Sequence, residues 1–330
     1  MAVSLKNIIV PSIPLAVLLV VGCVSLWLAD YSGTLFNLIP VQKATTPEIS
    51  QSFYIQSPVI RTEICLAITL LNAFLIAQIN NRFTIIRTRT FLPIVVFLIL
   101  MGVWSQTHLI ISSNLALTLF ILALFNFFSM TRDKKSSEQA FLGSFLISLS
   151  SLFIHEYIYL IPVCWVEFII FQSFSLRTFL ASVFGVLAPW VIYISVSYYF
   201  DSTVDLSKIF NFNINFNFNY STLNLSEYIY SGAIGLIMII SIFGIFSISN
   251  SDAIHTRNKL NFLLLLLFSF SILCVIFSQQ KLFFLPFIAF SFSLLFSHPL
   301  TLKQVGFYGI LFLVFCALNF SFVISKYILS

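Results

Sequence analysis

The sequence predicts an all-α, polytopic transmembrane helix bundle, and three observations predict it. Apolar residues make up 59% of the 330 residues and charged residues only 8%. A soluble domain carries about 25% charged residues, so lipid rather than water must surround most of this surface. The apolar residues also arrive in runs of 15 to 22 separated by polar breaks, close to the ~20 residues that cross roughly 30 Å of hydrocarbon. Third, lysine and arginine concentrate in alternate breaks.

The first run, 8–29, follows Lys6. A secretory signal has an apolar stretch of only about 7–15 residues before a small-x-small cleavage site. Here the run is longer and ends in Ser25-Leu26-Trp27-Leu28-Ala29-Asp30, where bulky residues spoil such a site. It reads as an uncleaved first span. Ten further spans follow at 64–79, 91–105, 113–129, 140–154, 157–174, 179–200, 231–249, 261–277, 282–297 and 305–325. His155-Glu156 separates the fifth from the sixth, because charge at that point argues against one long helix. The expectation is thus about eleven spans in a single integral membrane domain, 1–330, with a cytoplasmic N-terminus and an external C-terminus.

Charge tests this division independently of hydropathy. The cytoplasmic segments then hold Lys6, Arg82, Arg87, Arg89, Arg132, Lys134, Lys135, Arg177, Arg257, Lys259 and Lys303, against Lys43, Arg61, Lys208, Lys281 and Lys326 outside. Eleven against five satisfies the positive-inside rule. Most acids lie outside: Asp30, Glu48, Glu63, Glu156, Asp201, Asp205 and Glu227, against Asp133, Glu138 and Asp252 inside. The net charge of +5 reflects this sorting, not a nucleic-acid partner.

Two external segments, 30–63 and 201–230, are long enough for structure of their own. The first carries Pro40, Pro47 and Pro58 and suits short helices on the membrane surface. The second contains Phe210-Asn211-Phe212-Asn213-Ile214-Asn215-Phe216-Asn217-Phe218-Asn219-Tyr220. This alternation has the period of an extended strand. It reads either as a loop whose aromatics dip into the interface, or as a hairpin offering asparagine amides to a polar ligand. Cys23, Cys65, Cys164, Cys274 and Cys316 fall in five different apolar runs without a CxxC pair, as packing residues do.

Few residues remain for chemistry. Glu167 sits inside the 157–174 run, where a carboxylate by default faces protein or a water-filled cavity; no other span carries a charged partner at mid-depth for a proton relay. His155 and Glu156, at an external helix junction, would supply three metal ligands if joined by His108, but the spacing matches no metal motif and no metal site is expected. The turn Asn80-Asn81-Arg82-Phe83-Thr84-Ile85-Ile86-Arg87-Thr88-Arg89-Thr90 is the most basic short stretch. Its arginines either anchor the neighbouring helices against anionic headgroups or hold a lipid phosphate through bidentate bonds. Walker loops, GxSxG and HExxH are absent from the chain, which argues against a pump or membrane hydrolase built on those motifs and implies no cofactor.

Two resemblances follow from these residues. Asp30, at the external end of the first span, resembles the catalytic acid of GT-C-type glycosyltransferases that use lipid-linked sugars. That likeness implies Asp30 as general base toward an acceptor, with Arg61 and Lys208 holding a polyprenyl phosphate. Separately, Leu71-Asn72-Ala73-Phe74, Asn80-Asn81-Arg82-Phe83 and Arg87-Thr88-Arg89-Thr90-Phe91-Leu92-Pro93 resemble an uncharacterised multi-pass family of Bacteroidota inner-membrane proteins. Ala140-Phe141, Ser150-Ser151-Leu152-Phe153, Phe179-Leu180-Ala181-Ser182, Gly185 and Pro189 extend the likeness over roughly residues 60–200. It implies a bacterial inner membrane and carries no activity. The expected function is therefore an accessory or structural component of cell-envelope assembly, in contact with the lipid bilayer and other envelope proteins. A GT-C-like glycosyltransferase stands second and a transporter third.

Overall fold

In a computed structural model of the chain, the described residues are 58–88, 90–130, 136–199, 225–248, 252–277, 280–302 and 307–329, with Val21, Gly22, Val24, Ser25 and Trp27. From Pro58 onward the described residues form ten α-helices and two 3-10 turns, with no strand among them. The helices are α1 (Pro58–Phe83), α2 (Leu92–Val103), α3 (Ile111–Ser129), α4 (Ser137–Phe153), α5 (Ile161–Ile170), α6 (Leu176–Tyr199), α7 (Leu225–Ile248), α8 (Ile254–Ile276), α9 (Lys281–Leu302) and α10 (Phe307–Leu329). The 3-10 turns are Ser105–Leu109, before α3, and His155–Leu160, before α5.

Seven of these helices, α1, α3 and α6 to α10, are long and apolar enough to cross a membrane. The others are shorter, at 12 residues for α2, 17 for α4 and 10 for α5. The run expected to span 157–174 is divided. His155–Leu160 winds as 3-10, then Pro162 opens α5 at a position where proline's missing N–H costs nothing. At 1.5 Å per residue α5 is about 15 Å long, half the hydrocarbon thickness. Pro58 likewise starts α1 six residues before the expected boundary at 64, so the end of the 30–63 segment is helical. The earlier part of that segment, the first expected span apart from the few residues near Trp27, and the Phe210–Tyr220 alternation lie outside the described residues.

Helix α9 is the axis of the bundle, packing against α2, α3, α7, α8 and α10. In its most apolar stretch 83% of residues are buried, against 22% in α6 at the periphery. Phenylalanine supplies the packing. Phe120, Phe270, Phe287 and Phe290 from α3, α8 and α9 meet with ring centroids 5.1–6.4 Å apart, in the tilted and edge-on arrangements that aromatic quadrupoles favour. Further along α9, Ser293 and Ser297 turn back onto carbonyls of their own helix, so no polar atom of either seeks water.

Proline inside a helix removes an N–H and bends the chain, which opens carbonyls in the preceding turn. Neighbouring hydroxyls meet this demand twice. Three residues before Pro189 in α6, the Val186 carbonyl accepts from Ser148 Oγ of α4 at 2.6 Å. Three residues before Pro286 in α9, the Phe283 carbonyl accepts from Ser113 Oγ at 2.6 Å and Tyr157 Oη at 2.7 Å. Within hydrocarbon such partners are what make a proline tolerable. Helices α4 and α6 pack most intimately at Gly185, where an added Cβ would lie 2.5 Å from the Phe141 carbonyl oxygen. Small residues permit close helix approach where lipid supplies no hydrophobic drive between helices.

Candidate functional site

Successive helices alternate in direction, and their contacts define two ends. One end gathers the close of α1, α3, α5, α7 and α9 with the start of their successors. There Lys259, near the start of α8, donates from Nζ to the Phe83 carbonyl at the end of α1 at 2.8 Å, and Asn258 Nδ2 donates to the Ile170 carbonyl at the end of α5 at 3.1 Å. Among the described residues this end carries Arg82, Arg87, Arg177, Arg257 and Lys259 with Glu138 and Asp252; the opposite end carries Arg61, Lys281 and Lys326 with Glu63, Glu156 and Glu227.

A polar cluster lies at the basic end, around the turn after α1. Helix α1 stops because Thr84 adopts φ 47°, the left-handed conformation that commonly closes a helix but strains a β-branched residue. Several side chains hold this turn. Asn80 Oδ1 accepts from the Ile86 N–H at 3.0 Å, Thr84 Oγ1 donates to the Phe83 carbonyl at 2.9 Å, and Lys259 reaches the same carbonyl. A carbonyl left without an intrahelical donor at a helix end thus receives a cation, which the helix dipole also favours. Ile85 and Ile86 are buried beneath. Arg87 then extends to the α7–α8 connection, where its Nη2 lies 2.8 Å from Asp252 Oδ1. Asp252 Oδ2 accepts from His298 Nε2, near the end of α9, at 3.1 Å. The Asp252 and His298 side chains are fully buried, while Arg87 remains 39% exposed.

This cluster joins three segments far apart in sequence through a single carboxylate. The imidazole bonds one carboxylate oxygen and the guanidinium forms an ion pair at the other, which has no hydrogen-bond partner among the described residues, so chemically the group is a clasp with one arm reaching solvent. Asp252 and His298 were not singled out by sequence reasoning. Asp252 looked like one of three cytoplasmic acids, and His298 carried no motif, though a histidine ahead of Pro299 inside an apolar run is itself a signal.

The residues expected from the sequence are dispersed. Arg61 lies in the first turn of α1 at the end opposite Arg82 and Arg87, about 30 Å along the helix by its rise per residue. Arg82 is exposed, with its guanidinium 5.6 Å from the Phe83 ring centroid. His108 Nε2 donates to the Met101 carbonyl at 2.8 Å and its ring stacks on Trp27 at 3.6 Å. His155 Nδ1 lies 3.3 Å from the Ser151 carbonyl, and its ring is 5.9 Å from that of Trp190. Glu156 has a buried oxygen, Oε2, without a hydrogen-bond partner among the described residues. No three histidines, cysteines or acids among the described residues come together as a metal site. Asp30, Lys208 and Arg89 lie outside the described residues.

Glu167 is placed in α5 on one face with Cys164 and Phe168, and with Phe171 just past the helix end, all buried. Phe168 meets Phe127 of α3, and Phe171 meets Phe128 of α3 and Phe262 of α8. Its side chain is fully buried, and neither carboxyl oxygen has a hydrogen-bond partner among the described residues.

Residues 35–328 match the model of a family of unknown function, DUF6427. This match runs well beyond the 60–200 stretch that carried the likeness read from the sequence. No curated protein and no solved structure matches the chain.

Proposed function

Since the chain belongs to this family of unknown function, its own residues must carry the reading, and we propose a multi-pass bacterial inner-membrane protein that works without catalysis, as an accessory component of cell-envelope assembly. One observation carries this reading. The polar side chains described at the basic end are largely taken up by backbone and by each other, with Arg87, Asp252 and His298 joined as ion pairs and Lys259, Asn80 and Asn258 on or around helix ends, while Thr88 Oγ1 and Asp252 Oδ1 have no hydrogen-bond partner among the described residues. A catalytic centre leaves donors and acceptors aimed at a reacting atom; here most of them are aimed at the fold. Eleven spans with a cytoplasmic N-terminus and an external C-terminus complete the proposal, the arginine turn facing the cytosol beside anionic headgroups.

Mass spectrometry of lipid-linked intermediates in a deletion strain tests it. The accessory reading expects no polyprenyl-linked sugar to accumulate, and Asp30→Asn to leave envelope phenotypes unchanged. Accumulation of such a lipid, with Asp30→Asn reproducing the deletion, replaces this reading with a GT-C-like glycosyltransferase. In that case Asp30 is the base, and Arg61 and Lys208 bind the carrier phosphate. Loss of a solute flux without any lipid intermediate would instead make the protein a transporter.

A further inference from the structure

Helix α5 combines three features that the accessory reading does not use. It is a half-length helix, entered through a 3-10 turn and left through Gln172 at φ 57°, so the chain is broken on both sides of it. It carries Glu167, fully buried and without a hydrogen-bond partner among the described residues. Its C-terminal end meets α8 through the Asn258 amide on the Ile170 carbonyl and the contact of the Phe171 and Phe262 rings. A broken helix bearing an ionisable group is how membrane proteins build ion and proton sites within the apolar layer.

We propose that Glu167 is an intramembrane proton-binding site, loaded in the packing arrangement of this structure and emptied when α5 shifts enough to let water reach the carboxyl. An ionised carboxylate with no partner is strongly disfavoured in an apolar interior, whereas the neutral acid tolerates it. The surrounding groups leave this balance undisturbed. On α5 itself the neighbouring titratable group is Cys164, one turn earlier. The elements packed on α5 carry His155 and Glu156 in the preceding turn, Glu138 at the start of α4, Arg177 at the start of α6, and His255, Arg257 and Lys259 at the start of α8; α3 adds only phenylalanine rings. None forms an ion pair with Glu167 among the described residues, and Lys259 already serves Phe83. As a purely structural side chain, a carboxyl bonded to nothing has no advantage over leucine. Its chemistry is reversible protonation.

Infrared difference spectroscopy of the full-length protein in lipid bilayers, wild type against Glu167→Gln, tests this directly. A protonated-carboxyl carbonyl stretch should be present at neutral pH in the wild type and absent from Glu167→Gln. It should vanish reversibly in alkaline buffer as carboxylate bands replace it. Carboxylate bands at neutral pH that the wild type shows and Glu167→Gln lacks overturn the proposal, because the site would be empty in its resting state. A carbonyl band that persists unchanged through alkaline buffer overturns it too, because the acid would then be inert. Glu167→Gln keeps the shape and neutrality of the loaded acid, so its melting temperature should match the wild type. The outcome is independent of which lipids accumulate in a deletion strain, so failure here and failure of the accessory reading are distinguishable.

Discussion

At the residue scale, the Arg87–Asp252–His298 clasp is unequal, and the inequality is testable. Asp252 is fully buried, while Arg87 is 39% exposed. Arg87→Ala would leave a buried carboxylate with only the His298 N–H to balance it, and breaking a buried pair from that side costs about 3 kcal/mol. Asp252→Asn keeps an acceptor for His298 and releases a guanidinium that water can solvate, so its cost should be nearer 1 kcal/mol. Denaturant unfolding in bicelles should rank the variants in that order, and the double variant should be less damaging than the sum of the two. Strict additivity in the double variant would mean that Arg87 and Asp252 are not coupled as the 2.8 Å separation implies. Nothing in the linear sequence announced this clasp. Its members come from the turn after α1, the α7–α8 connection and the end of α9, and only the folding of apolar helices against one another brings them together.

At the element scale, the fit of α4 against α6 and the proline repairs make separate predictions. Gly185→Ala would push a methyl group to within 2.5 Å of the Phe141 carbonyl, forcing the two helices apart at a cost of about 1–3 kcal/mol. Gly232→Ala in α7 meets no atom within 4 Å. It should be neutral or slightly stabilising, because alanine is the better helix former by about 1 kcal/mol. Thermal unfolding of the purified protein should separate the two by several degrees. The Phe283 carbonyl, with two donors, offers a different signature. Ser113→Ala or Tyr157→Phe alone leaves it one partner and should cost about 1 kcal/mol. Removing both leaves it with neither hydroxyl and should cost more than the sum. Helix identity was largely legible: each expected span from 64–79 onward overlaps an observed helix. Helix lengths were less so. Hydropathy sees that 157–174 is apolar but not that Pro162 and the 3-10 turn divide it, and it undercounts α1, α8 and α9, whose ends carry charged or polar residues that side-chain bonds such as Lys259 to Phe83 bring into the packed structure.

At the scale of the whole molecule, alternation of basic segments along the sequence becomes a physical grouping in space. The turn after α1 and the start of α8 are 176 residues apart at the Lys259–Phe83 bond, so the fold requires them to lie on the same side of any membrane it crosses. The positive-inside rule adds which side that is. The two statements can be tested together and fail separately. In a background with the native cysteines replaced, Arg82→Cys and His255→Cys mark the basic end, while Glu63→Cys and Tyr198→Cys mark the opposite end; all four positions are exposed. A membrane-impermeant thiol reagent applied to spheroplasts should label Glu63→Cys and Tyr198→Cys, and label Arg82→Cys and His255→Cys only after the membrane is opened. The reverse pattern would keep the packing and invert the sidedness, because the helices would still cross in alternation. Labelling that splits Arg82→Cys from His255→Cys would be more damaging. No bilayer can pass between a lysine amine and a carbonyl 2.8 Å apart, so the arrangement of α1 against α8 would itself have to be abandoned.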